Sequence, residues 1–118
     1  MKFANKTHQD TFREEIAMQY HPSKEKIAAI YLLTSNQQLW ASCFNYVDND
    51  HIDFESIHVH RVSLSAYSLL KAAKSISENS VDLTLSELID TDCISEPVFQ
   101  LISEAMKIVR YGFKKGEA

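Results

Sequence analysis

Glycine and proline are almost missing from this chain, with two of each in 118 residues. An all-β fold built on tight hairpins needs many more, so helices joined by short polar loops fit better. Cysteine is equally sparse. Cys43 and Cys93 stand far apart with no metal-ligand spacing, each beside an apolar residue, Phe44 and Ile94. They read as two reduced thiols of a cytosolic protein, with a disulfide between them as the alternative. Positive charge is short as well: 12 Lys and Arg stand against 16 Asp and Glu, a formal net charge of −4. Phosphate neutralisation needs clustered Lys and Arg, so this balance works against non-specific nucleic-acid binding while leaving room for a local basic patch. No apolar run approaches a membrane span, and the opening MKFANKTHQD has no signal-peptide core. A cytoplasmic location without membrane contact is the expectation. Glycine-rich phosphate loops and the G-x-S-x-G and H-E-x-x-H patterns are also absent, and no cofactor is implied.

What is present is the make-up of an ordinary globular domain, 45% hydrophobic and 24% charged. The whole span 1–118 reads as a single helical domain, and a globule of this size buries roughly two-thirds of its unfolded surface. Thr7 is a suitable N-cap with Asp10 at N3, opening a helix whose inner face is Phe12, Ile16 and Tyr20. His21-Pro22 ends it. Ser23 caps a second helix, KIAAIYLL, apolar almost all round and therefore central. Ser35 is a candidate cap for a third, QQLWASCFNYV, with a stripe of Leu39, Trp40, Cys43, Phe44 and Val47.

From His51 to Val62 the helical period lapses, which predicts an irregular connection with at most a short extended piece. A fourth helix starts at Ser63 or Ser65 and runs to about Ser77, with Leu64, Tyr67, Leu70, Ala73 and Ile76 inward. Thr84 with Glu87 has the form of a capping box before a short helix, LSELI. Ser95 caps the last helix, where Val98, Leu101, Ile102, Ala105, Ile108 and Val109 make the buried stripe, widened by Phe99 and Met106. Gly112 suits its C-terminus, and residues 112–118 read as a frayed tail. The expected fold is thus an all-α bundle of five or six helices with an irregular connection near residues 51–62.

Candidate chemistry is thin. His51, Asp53, His58 and His60 fall close together, and on an extended strand His58 and His60 would point to one side, able to reach one ion. A third ligand could come from His51 or Asp53, with Cys43 as a distant fourth. No second ligand pair of zinc spacing follows, and imidazoles on a solvated connection are the simpler reading. A calcium loop starting at Asp48 would need Gly at its sixth position and Glu at its twelfth, where Asp53 and Val59 stand. Glu14-Glu15 reads as a solvated helix face. The densest basic stretch, Lys107, Arg110, Lys114 and Lys115, is interleaved with Tyr111 and Phe113, and cations there also suit the helix dipole. Tyr20, Tyr31, Trp40, Phe44 and Tyr46 read mainly as core, although Tyr and Trp are common anchors of binding surfaces.

Four segments occur in a familiar order. They are F-x-N-x-x-H-x-x-x-F (Phe3, Asn5, His8, Phe12), KIAAIYLLTSNQQLW, SAYSLLKAAKSI and LIDTDCISEPVFQLISEAMKIVRYGF. In this order the chain resembles a family of small helical proteins of unknown function, encoded largely by Gram-positive bacteria, their phages and mobile elements. The resemblance implies a small helical domain and a mobile-element context, and it carries no catalytic residue. The HVHRV stretch is where the likeness is weakest.

The function expected is a non-enzymatic protein–protein interaction protein of a phage or mobile genetic element, one form being an inhibitor or modulator of a host or defence protein. The alternatives are a DNA-binding regulator using the basic C-terminal end, and a metal-dependent enzyme using His58 and His60. No catalytic, cofactor or metal residue is assigned. A homo-oligomer is compatible with the apolar excess of the second helix, which a buried central helix explains equally well.

Overall fold

Helix starts in this chain are written in its polar side chains. Asn5, Ser23, Asn36, Ser63 and Thr84 each accept a hydrogen bond from the backbone N–H three residues on, satisfying an amide the helix leaves free. In the computed structural model, which describes residues 1–114, these caps open α1 (Lys6–Met18), α2 (Lys24–Thr34), α3 (Gln37–Cys43), α4 (Leu64–Glu78) and α5 (Leu85–Ile89). α6 (Glu96–Tyr111) starts after Ser95 with proline in its first turn and no side-chain cap bond. Residues 115–118, which hold Lys115 and most of the expected frayed tail, lie outside the described residues.

The architecture is an all-α bundle arranged around α2. α2 packs on α1, α3, α4 and α6, and every residue from Lys26 to Thr34 is buried. A helix with neighbours on all sides has no polar face to spare, so the apolar excess of KIAAIYLL belongs to the core. The expected irregular stretch over 51–62 is also present. Between α3 and α4 the chain makes single 3-10 turns at Phe44–Tyr46 and Phe54–Ser56, with one antiparallel bridge from Val47 to Ile52. Ile52, Phe54 and Ile57 anchor it in the core.

Several local expectations need correction. α1 is capped by Asn5 rather than Thr7 and stops at Met18, short of His21. The chain then turns through His21 at φ 47, which leaves Tyr20 76% exposed instead of inward. Ser35 closes α2 by donating to the Leu32 carbonyl, so the α3 cap is Asn36. α4 is rotated from its expected orientation. Ala73 is buried as expected and Leu70 and Ile76 pack partly against the core, but Ala66, Ser68, Leu69 and Ala72 are buried as well, while Leu64 and Tyr67 are 68% and 49% exposed. On α6, Phe99 and Met106 are 38% and 44% exposed, and the buried face is Val98, Ile102, Ala105 and Ile108.

Candidate functional site

The residues that looked most chemical in the sequence do not converge. His51, His58 and His60 are all exposed, and Arg61 at φ 56 turns the chain just beyond them. The Asp53 carboxylate accepts the Ser56 hydroxyl at 2.6 Å. Cys43 is fully buried, and burial pushes its thiol up to about 12, away from the thiolate a metal requires. Among the described residues no three His, Cys, Asp or Glu side chains lie close enough to hold an ion. Cys93 is exposed and unpaired, its thiol raised by its hydrogen bond to Asp90. At the basic end, Lys107 pairs with Glu104 at 3.9 Å, Arg110 stands over the Tyr111 ring, and Lys114 is exposed.

A different set of residues does converge, in a cleft of about 450 Å³ between α1 and α3. Both helices lean on α2, and the groove runs between their outer ridges. On α1 the ridge is Thr11, Glu14, Glu15 and Met18, spaced by three and four residues and so aligned on one face. On the opposite wall stand Trp40, Phe44 and Val47, at the same spacing. The wide apolar stripe of the third segment thus splits in two. Leu39 and Cys43 point into the core, whereas Trp40 and Val47 are half-buried and Phe44 is 50% exposed.

The 3-10 turn at Phe44–Tyr46 is what ends α3 and leaves Phe44 at the edge of the groove. Met18, 67% exposed, faces the same space from the last turn of α1.

One end of the cleft is closed by the acidic turn after Val47. The Asp48 carboxylate accepts the backbone N–H groups of Asp50 and His51, both at 2.9 Å, which hold its carboxyl below the usual range. It is therefore a fixed anion at neutral pH. The turn is tied back twice: the Asn49 side-chain oxygen accepts the Tyr20 N–H at 3.1 Å, and the Lys26 ammonium donates to the Asp48 carbonyl. Lys26 is buried, and desolvation lowers its affinity for the proton against the opposing pull of Asp48, Asp50 and Glu15.

Gln19 completes the lining and is 8% exposed. Its side-chain N–H donates to Glu15 at 3.0 Å, but its Oε1 is buried with no hydrogen-bond partner. No other buried side-chain nitrogen or oxygen among the described residues is left in that state. A buried acceptor without a donor costs about 1–3 kcal/mol, so its position calls for a reason.

Sequence reasoning missed this site because it assigned Glu14-Glu15 to solvent and Trp40 and Phe44 to the core. The signal was present in the stripe itself. Apolar positions at i, i+1, i+4, i+5 and i+8 are wider than one packed helix face, and the surplus forms the cleft wall. Comparison of the chain with protein-family models, with curated proteins and with solved structures gave no match.

Proposed function

We propose that this chain is a non-enzymatic interaction protein of a phage or mobile genetic element, which modulates a host or defence protein by docking it in the α1–α3 cleft. The observation that carries the reading is the cleft itself, where Met18, Trp40 and Phe44 stand partly or largely exposed and Gln19, whose oxygen is buried and unpartnered, belongs to the lining. Large apolar and aromatic side chains in a concave setting are what binding anchors look like before a partner covers them. The mobile-element context rests on the order of the four sequence segments. We place the protein's action in the cytoplasm, which its unpaired Cys43 and Cys93 support, and no helix among the described residues is long and apolar enough to cross a membrane.

The test is capture of partners by the tagged full chain from its native host, comparing wild type with Phe44→Asp and Leu85→Asp. Leu85 is 79% exposed on α5, outside the cleft, and controls for a charge added elsewhere. A specific partner should be held by wild type and Leu85→Asp and lost with Phe44→Asp, at unchanged circular dichroism. Equal capture by Phe44→Asp, or no specific partner with wild type, defeats the reading.

A further inference from the structure

The chemistry of the cleft is more specific than its shape. We propose that its occupant is a partner-protein segment that inserts an arginine side chain, flanked by an apolar residue, between the α1 and α3 ridges. This rests on the docking role proposed for the cleft and names the partner's side of it. Three carboxylates, Glu14, Glu15 and Asp48, line the groove, and no Lys or Arg is among the lining residues. The buried Lys26 ammonium is turned toward the Asp48 carbonyl and lies behind the acidic turn. A cationic group entering the groove therefore meets attraction from the α1 ridge and from the acidic turn at its end, and an anionic one meets repulsion.

The neutral groups narrow the choice. Trp40 and Phe44 offer aromatic surface, which binds a guanidinium well, and Met18 and Val47 offer apolar cover for the stem and its neighbour. Gln19 Oε1 lacks a donor, and a guanidinium carries five N–H groups in a fork that can serve a carboxylate and an amide oxygen together. That oxygen is covered in the free protein, so the Gln19 amide turns about its terminal torsion to receive the ligand. Lysine has a single compact head and cannot span the two acceptors while stacking on the rings. Asp48 needs no reorganisation, since two backbone N–H groups already hold its carboxylate in place.

The chain's only tryptophan is Trp40, so its emission reports on the cleft directly. The full chain is titrated with blocked decapeptides of Gly-Ser background carrying a central Leu-Arg-Leu, or the same peptide with arginine replaced by citrulline, lysine or glutamate. Saturable change in Trp40 emission is expected with the arginine peptide, weakened about tenfold or more by citrulline and less by lysine. Asp48→Asn keeps the acceptor for the turn and removes the charge, and it should weaken the arginine peptide severalfold. Gln19→Met should weaken it without lowering thermal stability.

Equal affinity for arginine and citrulline peptides, or no saturable change with any peptide up to about 1 mM, overturns the proposal. Free arginine amide binding as well as the peptide also overturns it, by making the site one for a small molecule. If host-partner capture remains sensitive to Phe44→Asp while the peptides fail, the cleft is still a docking site and only its cationic occupant is lost.

Discussion

His8 shows how much one side chain can organise. It is 1% exposed and makes two hydrogen bonds that fix its tautomer. Nδ1 accepts the Ala4 N–H at 2.9 Å, so the proton must sit on Nε2, which donates to the Tyr31 carbonyl at 2.8 Å. Phe3 and Tyr31 flank it with ring centroids 5.0 and 4.7 Å away, Phe12 packs on both of those rings, and the Tyr31 hydroxyl donates to the Lys2 carbonyl. The N-terminal strand of chain is thereby strapped onto α2. A second proton on His8 would face the Ala4 N–H in a buried site, and burial lowers its pKa from 6.5 to about 4. Between those values the unfolded chain binds a proton that the folded chain refuses. Stability from this group is complete above pH 6.5 and is lost as pH falls toward 4, at about 1.4 kcal/mol per pH unit within that window. Urea unfolding of wild type and His8→Gln should therefore differ most near pH 7, with the gap shrinking by roughly 2 kcal/mol near pH 5. A gap independent of pH would mean that His8 titrates freely in the fold. The sequence showed this unit as F-x-N-x-x-H-x-x-x-F without showing its geometry. Thr7 and Asn5 are both good caps, and the choice fell to Asn5 because its side chain reaches the His8 N–H at 2.8 Å just where Phe3 and His8 pin the preceding chain.

At the level of single helices, α4 is the informative case. Its segment LSAYSLLKAAKSI carries apolar residues around most of its circumference, so two stripes satisfy the helical period. Reading Leu64, Tyr67, Leu70, Ala73 and Ile76 as the inner face favoured bulk. The structure keeps Ala73 inside but joins it with Ala66, Leu69 and Ala72 in place of Leu64 and Tyr67, because α4 lies against the already crowded α2 and small side chains allow the closer approach. The polar flank settles the rotation from the other side. Lys71 bonds Glu87 of α5 at 3.0 Å, and Lys74 lies 3.8 Å from Asp82 and 3.9 Å from Glu55. Neither constraint is local in sequence, which is why caps were legible here and the facing was not. Two substitutions separate the readings. Ala72→Leu, at 2% exposure, should lower stability by about 1–3 kcal/mol through overpacking, measured by urea unfolding. Leu64→Ala, at 68% exposure, should change it by no more than about 0.5 kcal/mol. The opposite ranking would restore the bulk-inward orientation.

For the molecule as a whole, the central place of α2 makes stability uneven in a way that bears on the cleft. α2 was legible as central from its composition, whereas its four neighbours follow from long-range packing that no local pattern encodes. Ile30, Tyr31, Leu32 and Leu33 are fully buried, and α1, α3, α4 and α6 all lean on them or on their neighbours. Opening α2 thus means separating the helices that hold the rest together. α5 is the opposite extreme, with five residues, none buried, and Leu85 and Ile89 each 79% exposed. The acidic turn over Asp48–His51 is exposed too, yet it is held by Lys26 from α2 and by the Tyr20 N–H from beyond α1, which donates to Asn49. The cleft walls are then rigid because they share α2 as a base, while its closed end depends on a few polar ties. Native-state hydrogen exchange should follow this order. Amides of Ile30–Leu33 should exchange only through global unfolding, with the opening free energy measured by urea. Amides of α5 and the Asp50 and His51 amides should open at a free energy lower by about 2 kcal/mol or more. Exchange in α2 through an opening well below the global value would mean that the helix is peripheral, and the cleft would then lose the rigid base on which its two ridges stand.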